Sequence, residues 1–138
     1  MKTKAYLLFV TLCLLLGLAS SALATPESDF KEAEAAAKSG NMDKAIEDLT
    51  RFIDASASAD AKNVANAYVL RGICYEAKKD TDHALADYTK AIELDPKSAN
   101  ALGNRAMLYA KLGEREKAKA DATAARRIDF RVKVPKLD

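Results

Sequence analysis

The sequence predicts an all-α protein built as a stack of three helix-turn-helix hairpins. Two observations carry this. The first is self-similarity: displaced by 34 residues, Ala65, Asn66, Ala67, Arg71 and Tyr75 fall on Ala99, Asn100, Ala101, Arg105 and Tyr109. The match continues as Ala84, Ala86, Asp87, Thr89, Ala91 and Asp95 fall on Ala118, Ala120, Asp121, Thr123, Ala125 and Asp129. The second is periodicity: Tyr68, Gly72 and Tyr75 stand at i, i+4 and i+7, and Ala84, Tyr88 and Ala91 repeat that spacing, so one unit holds two amphipathic helices. A single hairpin leaves one apolar face open, and stacking about three of them closes the core.

Taken in chain order, residues 1–24 read as a secretory signal peptide. Lys2 and Lys4 precede an apolar run from Ala5 to Leu18, and small residues follow to Ala24. The run is shorter than the roughly 20 residues of a spanning helix, so the expectation is cleavage before Thr25 and no integral membrane span afterwards. The mature domain is expected over 25–131, with repeats at about 26–59, 65–98 and 99–132 and a short tail at 132–138. In the first unit, Gly40 and Ala45 stand where the third has Gly113 and Ala118, with Ala33 as the small residue of its first helix. Ala45 and Ala84 are 39 residues apart, which puts a five-residue insertion between units one and two. In the second unit the polar stretch Lys78 to Asp82 is the turn, and Asp95-Pro96 fits a helix start with Asp as N-cap.

These residues resemble the tetratricopeptide repeat, a 34-residue helical hairpin. Its alternation of small and aromatic positions closed by a proline appears as Gly72, Tyr75, Ala84, Tyr88, Ala91 and Pro96. The third unit supplies Ala106, Tyr109, Ala118, Ala122 and Ala125, with Phe130 in the proline position. The first unit departs further, with Ala36 for the tyrosine and Phe52 for the last small residue. The resemblance implies a right-handed superhelical solenoid whose first helices line a concave groove that holds a peptide segment or a partner protein.

Spacing opposite the hairpin contact selects the side chains expected to face that groove: Asn66, Val69 and Ile73, then Asn100, Gly103 and Met107, with Phe30 and Glu34 in the first unit. Asn104 joins them. Asparagine carries a donor and an acceptor, so Asn66 and Asn100 can pair with the main chain of a bound segment. One subset of the family grips carboxylate termini of chaperones with lysine, asparagine and arginine. The corresponding places hold Phe30, Glu34, Leu70, Asn100 and Asn104 here, so that clamp is absent.

Chemistry finds no footing. His83 is the single histidine, on a charged helix start. Asp80 and Asp82 lack the further oxygen ligands of a calcium loop, because Ala84, Ala86 and Ala91 follow. No metal cluster, nucleophile beside a base, or Gly-rich phosphate loop is present, so neither catalysis nor a cofactor is expected. Removing Lys2 and Lys4 leaves 20 basic against 20 acidic residues, which argues against nucleic acid. The charge is divided, however: 9 Lys/Arg and 15 Asp/Glu lie in residues 25–95, and 11 and 5 in residues 96–138. Cys74 would be the one cysteine left after cleavage, expected as a buried small hydrophobe. The reading is a monomeric adaptor exported to the periplasm or beyond, with a bacterial envelope as the expected compartment. The alternative is a structural protein that self-associates through the ends of its stack.

Overall fold

The computed structural model describes residues 26–56 and 60–137, and the expected signal segment lies outside them. The described residues form six helices and no strand: α1 Pro26–Lys38, α2 Met42–Ala55, α3 Ala61–Ala77, α4 Thr81–Leu94, α5 Ala99–Lys111 and α6 Arg115–Ile128. They pair as α1 with α2, α3 with α4 and α5 with α6, and successive hairpins stack α2 on α3 and α4 on α5. This is the expected all-helical solenoid of three hairpins.

Each hairpin turns through the same motif. After α1 the Asn41 N–H donates to the Ala36 carbonyl and the Gly40 N–H to that of Ala37, with Gly40 at φ 84°. After α3 Asp80 donates to Tyr75 and Lys79 to Glu76, with Lys79 at φ 64°, and after α5 Glu114 donates to Tyr109 and Gly113 to Ala110, with Gly113 at φ 78°. These are Schellman closures, which satisfy the orphan carbonyls of a helix end through one left-handed residue. The next helix is capped at once: the Asn41 side chain accepts from the Lys44 N–H and Asp80 from the His83 N–H.

The hairpin contact works as the sequence predicts. A Cβ added to Gly72 would stand 2.7 Å from Tyr88 Cε1, so the Tyr88 ring lies directly on the α3 backbone. Tyr88 is fully buried with Ala84, Ala91, Ala101 and Leu108, and its hydroxyl donates to Glu76 Oε1 at 2.7 Å. Burial and that carboxylate push its phenol well above the ordinary range. Cys74 is fully buried beside Ala36 and Ala45, and desolvation raises its thiol pKa. In the first unit Phe52 meets Phe30 with ring centroids 5.4 Å apart.

Two boundaries differ from expectation. Asp95 closes α4 instead of opening α5; Ser98 is the N-cap, accepting from the Ala101 N–H at 3.3 Å. A turn intervenes, since the Ser98 N–H donates to the Asp95 carbonyl at 3.0 Å. The insertion between units one and two also contributes structure: α3 starts at Ala61 and runs for 17 residues against 13 in α5. Asp60, which accepts from the Lys62 N–H, starts it a turn before the repeat position Ala65.

Candidate partner-binding face

The faces of α1, α3 and α5 turned from their hairpin partners divide into a polar edge, a narrow apolar strip and a covered part. Asn66 and Asn100 form the edge. Both are exposed, and both line one cleft of about 500 Å³ whose charged lining residues are Asp60, Asp95, Asp129, Lys62 and Lys97. Neither side chain forms a hydrogen bond with its own helix among the described residues, so both amides are open to a ligand. Seven residues further along each helix stand Ile73, 42% exposed, and Met107, half-buried. Glu34 and Asn104 are half-buried.

The remaining predicted floor is not open. Val69 is buried in the central cluster with Ala65, Ala101 and Leu108, because the third unit packs over it. Phe30 is half-buried against Phe52, Leu49, Ala33 and Ala67, turned into the seam between the first and second units. Gly103 is buried under residues of the tail: a Cβ there would stand 2.7 Å from the Lys133 carbonyl oxygen and 3.0 Å from Val132 Cγ2. The expectation that the face opposite the hairpin contact is uniformly exposed is thus corrected at these three positions. Neighbouring units, and the tail itself, reach over the helices that the spacing leaves bare.

A buried ladder fixes the pitch at which these faces are presented. Arg71 donates from Nε and Nη2 to Asp87 at 2.8 Å each, and from Nη1 to Thr50 Oγ1 at 2.9 Å. Thirty-four residues on, Arg105 donates to Asp121 at 2.7 and 2.9 Å and to Thr89 Oγ1 at 3.1 Å. Each arginine therefore ties the two helices of its own unit and reaches the second helix of the unit before. The carboxylate hydrogen bonds come first in holding both guanidinium pKa values above the ordinary range. Unit one has Glu32 in the arginine position, and its buried Asp48 is instead met by Lys44 and Arg51 of the same helix. The repeated spacing of 16 residues between arginine and aspartate was the sequence signal for this ladder; only the antiparallel register makes it a contact. Glu76 adds a link between units, accepting from Lys111 Nζ at 2.8 Å.

His83 stacks on Tyr75 with ring centroids 5.0 Å apart, and its Nδ1 lies 2.8 Å from Asp80 Oδ2. Asp80, held below the ordinary carboxylate range chiefly by that hydrogen bond, acts as a helix cap. Among the described residues no cluster of metal-ligating side chains occurs.

Comparison with known proteins agrees with this geometry. Residues 65–98 match one family model of the tetratricopeptide repeat and residues 87–120 match a second. DnaJ homolog subfamily C member 7 of Homo sapiens is 41% identical over 70 residues, covering 51% of this chain and 14% of that protein. Among solved structures, the second repeat domain of Spaghetti (RPAP3) bound to the HSP90 peptide SRMEEVD has a TM-score of 0.67 at 27% identity, covering 75% of this chain and 92% of that one. The TPR2B domain of yeast Sti1 in complex with an Hsp70 peptide has a TM-score of 0.68 at 26% identity, covering 78% and 82%. The chain spans about one seventh of the length of the DnaJ homologue, matching it over a single segment.

Proposed function

The chain carries tetratricopeptide repeats over residues 65–120, and from that premise we propose that it is a protein-interaction module of the bacterial envelope, without catalytic activity, that docks an extended segment of a partner protein on the first helices of its hairpins. The observation that carries the reading is the alignment of Asn66 with Asn100 along one cleft, with Ile73 and Met107 farther along the same helices. The asparagines pair with the main chain of the segment, and the apolar strip takes a side chain from it. The neighbours in complex with HSP90 and Hsp70 peptides support peptide docking on this fold. This chain places Phe30, Glu34 and Leu70 where a carboxylate clamp has cations and asparagines, so its segment differs in chemistry from theirs.

Export rests on the signal-like residues 1–24 and gives a mature chain beginning at Thr25, which intact-mass measurement of the secreted form reads directly; a species retaining Met1 would contradict it. Among the described residues no helix is long and apolar enough to cross a membrane. The test of docking is Ile73→Asp with Met107→Asp, compared with the wild type in cross-linked capture from the native envelope. A charge forced into an apolar contact is desolvated without a partner, costing several kcal/mol, so capture is lost while helical circular dichroism persists. Capture that survives the pair would refute the docking face, and unfolding would reassign both residues to the core.

The competing reading, self-association through the stack ends, draws on the division of charge and on Phe130, which is 83% exposed. Sedimentation at micromolar concentration separates the two, since the adaptor sediments as a monomer.

A further inference from the structure

Beyond α6 the chain doubles back. The Val132 N–H closes a turn on the Asp129 carbonyl at 3.1 Å, and residues 133–137 follow without regular structure. Their burial alternates: Arg131 and Lys133 are exposed while Val132 and Val134 are half-buried, the period of two of an extended chain. Pro135 and Leu137 are also half-buried, and Lys136 is exposed. Pro135 prevents the segment from continuing as helix.

The segment has a seat prepared for it. Its backbone comes so close to Gly103 that a Cβ there would stand 2.7 Å from the Lys133 carbonyl, a separation that side chains do not tolerate. In unit two the same position is Val69, covered by the third hairpin. In unit three it is glycine, covered by the segment. A residue that builds core in one unit is thus replaced, in the next, by the one residue that admits a main chain.

We propose that residues 131–137 are an internal ligand of the α5 face at Gly103, and that the partner segment docked by this protein shares their chemistry: an extended stretch in which valine- or leucine-like side chains alternate with lysine. The inference rests on the docking reading above and names its ligand class. Arg131, Lys133 and Lys136 of the segment are exposed, so its cations stay in water while Val132 meets Gly103. A partner of this kind displaces the segment, so docking begins against a competitor already in place, and the affinity is reduced by the fraction of molecules in which the seat is occupied.

The test uses the full chain and a labelled synthetic peptide of residues 130–137. In the wild type, trypsin cuts slowly after Arg131 and Lys133, and the peptide does not bind. Val132→Asp with Val134→Asp releases the segment, so cleavage accelerates roughly tenfold or more as the open fraction rises, and the peptide binds in trans. Adding Gly103→Val to the released variant fills the seat with the residue that unit two already carries, and peptide binding is lost. A wild-type segment cut as fast as the released one would overturn the proposal. So would a released variant that takes no peptide, which would make the segment a structural cap; so would peptide binding that persists with Val at position 103. The docking reading fails on a different measurement, capture by the Ile73→Asp, Met107→Asp pair, so the two failures are distinguishable.

Discussion

Arg71 and Asp87 meet through two parallel hydrogen bonds of 2.8 Å, with the Asp87 side chain 7% exposed and the Arg71 side chain 16%. Because Arg71 also donates to Thr50 in the preceding unit, a single guanidinium holds the hairpin and its stacking together. Removing one charge of a buried pair leaves the other desolvated and alone, which costs about 3–5 kcal/mol.

Arg71→Ala is therefore expected to destabilise the protein by about 3 kcal/mol or more in urea melts. Arg71→Met with Asp87→Leu, which removes both charges and keeps the volume, is expected to recover most of the loss. A double variant no more stable than Arg71→Ala would show that the stability comes from the Thr50 contact and not from the ion pair.

Lys79 offers the opposite change. It occupies the left-handed turn position that Gly40 and Gly113 hold in the other units, and its Cβ makes that conformation costly. Lys79→Gly is expected to raise stability by about 0.5–1 kcal/mol, seen as a higher melting temperature with unchanged helicity. A lower melting temperature would mean that glycine's greater freedom in the unfolded chain outweighs the relief.

The outer face of α6 predicts solution behaviour. At matched stacking positions the units read Ile46, Leu85, Lys119 and Ile53, Ile92, Arg126. The four aliphatic side chains are half-buried against the core clusters, and both cations are exposed. Lys119→Leu with Arg126→Ile is expected to create a contiguous apolar strip and cause association that grows with concentration in light scattering. A wild type that already associates at micromolar concentration would favour the structural reading over the adaptor.

The 34-residue period, the hairpin and the Gly72–Tyr88 contact were legible in the sequence, because each follows from residues close in the chain and from a spacing that repeats. Spacing also placed Asn66, Ile73, Asn100 and Met107 on the face turned from the hairpin. It could not tell that Val69 lies under the third hairpin, that Phe30 fills the first seam with Phe52, or that Gly103 lies beneath Val132 and Lys133. Helical periodicity fixes the direction of a side chain around its own axis, but exposure depends on what else arrives there. For these three residues that was decided by residues 22 to 39 positions away, and only the packed tertiary structure brings them together.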